Sequence, residues 1–149
     1  MHTADPIKLK GSMELVMHRG DGSVETVRKD NIIVDVGFDL IADALGKATG
    51  RPAVLSHIAV GTSSTAADAS QTALGTELSR IAATYAHTAG TKTFTMSADF
   101  AAGVATGAIT EAGVFNASTD GVMFDRVTFA VINKGADDSM TVTFTFTMS

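Results

Sequence analysis

The sequence predicts a mainly β protein, an antiparallel β-sandwich or flattened barrel with one short α-helix. Three observations lead there. In the closing stretch, Met140, Val142, Phe144, Phe146 and Met148 alternate with Thr141, Thr143, Thr145 and Thr147. Side chains on a strand point to opposite faces with a period of two, so this run carries one apolar face and one hydroxyl face. Earlier, Phe94, Met96, Ala98 and Phe100 alternate in the same way with Thr93, Thr95, Ser97 and Asp99. Finally, short apolar runs are separated by turn signals such as Asp21-Gly22, Gly103 with Gly107, and Asp120-Gly121. Together these give about eight or nine strands, which must pack as two layers or close on themselves.

In chain order, residues 1–12 read as a polar N-terminal arm ending in Gly11-Ser12, and residues 13–149 as a single β-rich domain. Met13 to His18 forms a strand, Arg19 to Gly22 a turn, and Ser23 to Lys29 the returning strand. Arg19-Gly20-Asp21 spells an adhesive tripeptide, but the hairpin already accounts for Gly20 and Asp21. Asn31 to Val36 is apolar and β-branched, hence extended. Asp35 then caps a helix whose apolar face is Phe38, Ile41, Ala42 and Leu45, with Gly46 as its stop. Leu55 to Gly61 is a strand, and Thr62 to Ser70 a loop of small polar residues unable to hold itself rigid. Leu74, Leu78 and Ile81 have the spacing of a short helix interrupted by Gly75. Ala108 to Phe115 is the next strand, followed by a turn over Asn116 to Gly121. In the strand from Val122 to Ile132, Val127, Phe129 and Val131 share a face with Asp125, and a bulge near Asp125-Arg126 restores the alternation. Asn133 to Asp138 turns the chain into its closing strand.

At 149 residues the chain is long enough to bury a substantial core, and 45% hydrophobic residues fit a globular fold. No apolar run reaches the roughly 18 residues of a membrane span, and none near the N-terminus reads as a signal peptide. A net charge of −5 argues against a nucleic-acid binder, which needs a basic stripe facing phosphates. With no cysteine there is no disulfide, zinc thiolate or thiol nucleophile. The absence of Trp and the single Tyr leave little with which to stack a sugar ring.

No set of residues reads as catalytic. His2, His18, His57 and His87 lie in four separate segments without ligand spacing, so neither a metal nor a cofactor is expected. Asp39 and Asp43 sit one helical turn apart and read as a solvated acidic face. The Asn116-Ala117-Ser118 sequon falls in a turn. Glu111 stands out, between Ile109 and Val114 in an otherwise apolar strand. It is expected to form a structural ion pair, with Arg126 or Arg80 as partner. Candidate partner contacts are Lys8 and Lys10 on the arm, and Thr62, Ser63, Ser64 and Thr65 on the polar loop, since loops held on a scaffold commonly carry binding.

Four segments together resemble a group of small structural proteins of tailed bacteriophages. They are His57 to Thr62, Thr72 to Arg80, Ala108 to Phe115, and Asn133-Lys134-Gly135-Ala136-Asp137-Asp138-Ser139. The resemblance runs from about Asn31 to the C-terminus. It implies a virion component without a catalytic motif, of the tail-fibre-like or capsid-decoration type. The expected role is a non-enzymatic decoration (cement) protein binding the major capsid protein or another virion protein. A tail-fibre or baseplate component, or a host-recognition module using the loops, is the alternative. Threonine-rich strand faces suit subunit packing, and the expected assembly is a homo-oligomer, a trimer.

Overall fold

The computed structural model describes residues 7–149. Ten strands and one helix follow in the order β1 (Leu9–His18), β2 (Val24–Asp30), β3 (Ile32–Ile33), α1 (Asp35–Gly46), β4 (His57–Gly61), β5 (Glu77–Ala82), β6 (Thr84–His87), β7 (Thr93–Phe100), β8 (Gly107–Phe115), β9 (Asp125–Lys134) and β10 (Ser139–Met148). They form a β-sandwich of two five-stranded antiparallel sheets, ordered β2-β1-β10-β7-β6 and β3-β9-β8-β4-β5.

The alternating C-terminal run becomes β10, the middle strand of the first sheet. It pairs along its whole length with β1, from Leu9↔Met148 to His18↔Ser139, and with β7, from Met140↔Phe100 to Thr147↔Thr93. Met140, Val142, Phe144 and Phe146 are essentially inaccessible and pack on Met13, Leu15, Met17, Met96 and Phe100. Each such side chain contributes roughly 1.5–3 kcal/mol of burial free energy. Phe146 meets Phe124, the residue before β9, edge to face, with centroids 5.1 Å apart. On the hydroxyl face, Thr143 bonds Ser97 and Thr141 donates to Asp99 across the strands.

Several local expectations are corrected. Leu9 to Ser12 belong to β1 rather than to an arm, with Gly11 opposite Phe146. The earlier part of the expected arm, residues 1–6, lies outside the described residues. Asp35 is the first helical residue, while Val34 takes the N-cap position without a side-chain cap. The helix buries Gly37 and Leu40, whereas Phe38 is 49% and Leu45 82% exposed. Gly37 turns the helix toward the second sheet, because a methyl group there would lie 2.3 Å from the Phe124 carbonyl oxygen. Close approach of backbone to backbone thus decides the buried face, against the apolar spacing.

The helix expected over Leu74, Leu78 and Ile81 does not form: Leu78 and Ile81 lie in the extended β5, and Leu74 in the chain before it. Ile81 pairs with Ile58, and the strand completes the edge beyond β4. Pairing to a preformed sheet outweighs a weak local helical pattern broken by Gly75. The phase slip of β9 is real but lies further along. The ladder with β8 shifts between Ile109 and Glu111, opposite Thr128 to Ile132. Val127, Phe129 and Ile132 consequently face the core, and Val131 is 56% exposed. No bulge is needed at Asp125, which is accommodated by hydrogen bonding.

Candidate functional site: a loop held by a buried ion pair

Alternation along β8 sends Ala112 and Val114 into the core and Glu111, Gly113 and Phe115 to the other face of the sheet. That face is covered. The chain between Gly61 and Glu77 folds over it, with Leu74 packed among Val34, Ala59, Phe115 and Met123. Leu74 is the one buried side chain of residues 62–76, so apolar packing alone does not hold this loop.

A charged pair does. Glu111 and Arg126 are 0% and 1% exposed, and their side chains meet at 3.0 Å. Glu111 Oε1 accepts from Arg126 Nε, Arg126 Nη2 and the Gly75 N–H, at 3.1, 3.0 and 2.7 Å. Its Oε2 accepts from the N–H groups of Ser63 and Thr76, at 2.9 and 2.8 Å. Arg126 Nη1 donates to the Thr65 carbonyl and to Gln71 Oε1, at 2.9 and 3.0 Å. Thr110 Oγ1 adds a bond to the Ser63 carbonyl. Both ends and the middle of the loop are thus fastened to one pair of side chains on adjacent strands. Charge-assisted bonds of this kind are stronger than neutral ones.

The surrounding geometry fits this arrangement. A methyl group on Gly61 would lie 2.3 Å from the Thr76 carbonyl and 2.5 Å from Glu111 Oε2, so this position requires glycine for closeness. Within the loop, Asp68 accepts from the N–H and hydroxyl of Ser70, which lower its pKa. Gln71 Nε2 donates to the Ala66 carbonyl, and the Asp35 N–H at the start of α1 donates to the Ala69 carbonyl. A loop of small polar residues is therefore held in one conformation by groups on the strands and helix around it.

The candidate contact residues fall into two separate groups. Thr62, Ser64 and Thr65 are exposed and Ser63 half-buried on the outer side of the second sheet. Lys10 stands on the outer face of the first sheet, where its strand position pairs with Thr147, and the backbone of Lys8 pairs with Ser149. The sandwich separates the two groups, so they do not form one surface. Arg80, the other partner considered for Glu111, pairs instead with Glu77 at 2.6 Å and lies 3.7 Å over the Phe115 ring.

Two further buried polar arrangements went unread in the sequence. Asp125 is inaccessible; Oδ1 accepts from the Val114 N–H at 2.9 Å, and Oδ2 accepts from the Asn31 amide. Burial pushes its pKa up to about 8, against the pull of those two bonds. At the opposite end, Asp138 accepts from the N–H groups of Gly135 and Gly20 and from Arg19, which hold its pKa below the usual carboxylate range. Lys134 donates to the carbonyls of Ala101 and Asp138, and burial lowers its pKa. Arg19 also bonds Glu25, and Asp21 accepts from Ser23, so both charged ends of the Arg-Gly-Asp tripeptide are engaged within the turns.

Among the described residues no three His, Asp or Glu side chains gather as a metal site. No helix among them is long and apolar enough to cross a membrane. No family model matches the sequence, and neither a curated protein nor a solved structure matches the chain.

Proposed function

We propose that the chain is a non-enzymatic structural protein of a bacteriophage virion, and within the virion a decoration protein that binds and stabilises the capsid lattice. The observation that carries this reading is how the buried titratable groups are used. Glu111, Arg126, Asp125, Lys134 and Asp138 are each bonded to backbone groups that fix a loop, a turn or a strand junction. A catalytic acid or base keeps a site open for a substrate proton, whereas these groups are saturated by the fold itself. What they produce is an ordered polar loop with Thr62, Ser64 and Thr65 displayed on its outside. A contact surface ordered in advance loses less entropy on binding, which suits permanent attachment to a repeating lattice.

The resemblance of four segments to tailed-phage structural proteins supplies the virion. Immunogold electron microscopy of purified particles, with antibody raised against this chain, tests both parts. Label distributed over the head is expected. Label confined to the tail would replace decoration by a fibre or baseplate role, and unlabelled particles would remove the virion reading altogether.

A further inference from the structure

We propose that two copies of this chain join through their β2 edges, antiparallel about a two-fold axis at Val27, to make one continuous sheet. The inference rests on the edge itself and is independent of the virion reading. Among the described residues the sandwich has four edge strands: β2, β6, β3 and β5. β3 has two residues and β6 four, and the ladder holding β5 shifts register next to Gly61. β2 is seven residues long and, among the described residues, paired on one side only, in unbroken register from Ser12↔Asp30 to His18↔Val24. An edge of that length offers a partner strand a row of backbone groups.

The register fixes which groups those are. At the two ends of the hairpin, the Arg19 N–H donates to the Ser23 carbonyl and the Asn31 N–H to the Gly11 carbonyl. Antiparallel pairs alternate between bonded and non-bonded, so the odd residues of β2 bond β1 and the even ones face away. The outward set is Val24, Thr26, Arg28 and Asp30. Two-fold pairing about Val27 sets Val24 opposite Asp30 of the second copy and Thr26 opposite its Arg28, so outward groups meet outward groups.

The intervening non-bonded pairs, where side chains come closest, are then Glu25 with Lys29 of the second copy, Val27 with Val27, and Lys29 with Glu25. Opposite charges stand at equal distances on either side of the axis, and the half-buried Val27 is covered at the centre. Lys29 has no ion-pair partner among the described residues, and Glu25, though paired with Arg19, has a side chain 54% exposed. Charged residues on an edge ordinarily repel a second strand, and here the Val27 register is the one that turns them into two ion pairs. Sliding by two residues toward the N-terminal end of β2 centres the pair on Thr26 and leaves Glu25 opposite Val27 and Lys29 opposite Ser23. Sliding the copies by two residues toward the C-terminal end of β2 sets Arg28 against Arg28 and separates both ion pairs. The placing of charge therefore favours the Val27 register, with a second copy as the partner whose charges complement it. Such a contact is isologous and gives a dimer, in place of the trimer expected from threonine-rich faces.

Sedimentation equilibrium of the full chain at low ionic strength tests this. A dimer is expected for the wild type. Lys29→Glu and Glu25→Lys should each raise the dimer Kd by roughly tenfold or more, because each places like charges opposite one another twice per dimer. The double exchange should bring the Kd well below that of either single variant, although Glu25→Lys also removes a partner of Arg19. Thr26→Pro, which removes an outward N–H and leaves the bonds to β1 in place, should also give monomers without changing charge. Circular dichroism identifies any variant that has lost its fold. A monomeric or trimeric wild type, single exchanges without effect, or a double exchange that stays monomeric would each overturn the proposal.

Discussion

Glu111→Ala is expected to lower the unfolding free energy by roughly 3–5 kcal/mol, which is the range for breaking a buried ion pair by removing one partner. The cost has two sources. The Arg126 guanidinium, 1% exposed, is left charged and without its counter-ion. The N–H groups of Ser63, Gly75 and Thr76 lose their shared acceptor. For a chain of this length that corresponds to a fall in Tm of about 10 °C, measurable by calorimetry or urea titration. Glu111→Gln should fall between wild type and alanine, because an amide oxygen still accepts but does not neutralise Arg126. The double change Glu111→Leu/Arg126→Met should recover much of the global stability, since apolar replacement of a whole buried pair is often nearly neutral. It should nevertheless leave residues 62–76 unfastened.

Stability should also fall as the pH rises from about 4 to about 8, at up to about 1.4 kcal/mol per pH unit. Asp125 is the cause, since burial raises its pKa from 3.8 to about 8. Between those values the folded protein holds a proton that the unfolded chain has released. The contribution is complete below the unfolded value and is lost as the pH passes through the folded one. The lowered pKa values of Asp21, Asp68 and Asp138 act in a different window. Their stabilisation is present above 3.8 and disappears as the pH falls through their folded values. Lys134, lowered from 10.5 by burial, works in the opposite direction to Asp125, adding stability as the pH rises between its folded value and 10.5.

Asp125→Asn isolates the one group. Its amide oxygen still accepts from the Val114 N–H, and it has no proton to lose. The Asn31 Oδ1, which lacks a hydrogen-bond partner, becomes available to its NH2 once the Asn31 amide is turned. Urea titrations from pH 4 to 9 should show wild type losing stability relative to Asp125→Asn across this range. Parallel curves for the two proteins would contradict the assignment.

The strands with strict alternation were legible, because a sheet with one buried face imposes its period on the sequence. β10 and β7 read directly, as did the β1–β2 hairpin from Asp21-Gly22. The side chain of Glu111 was legible for the same reason, as a carboxylate in an apolar strand that must find a partner. What it does was not legible. Three of its bonds go to backbone N–H groups, which leave no mark in residue identity. A loop of Thr, Ser and Ala read alone looks loose, and its fastening lies on strands 35 to 61 residues away. The helix face failed for a related reason, since Gly37 packs by what it lacks, and apolar spacing cannot register a close contact of backbone. Asp125 was visible as a break in phase, but bulge and buried carboxyl produce the same break in a single sequence.

The fastening of the loop by the Glu111–Arg126 pair is tested most directly by amide hydrogen exchange at Ser63, Gly75 and Thr76 in the wild-type protein. Gly75 and Thr76 lie at the surface, so burial alone gives no reason for slow exchange there. If the carboxylate holds these N–H groups, all three should exchange as slowly as amides of the central strands, and together. Exchange at the rate of an open surface loop, with β8 and β9 still protected, would contradict the account.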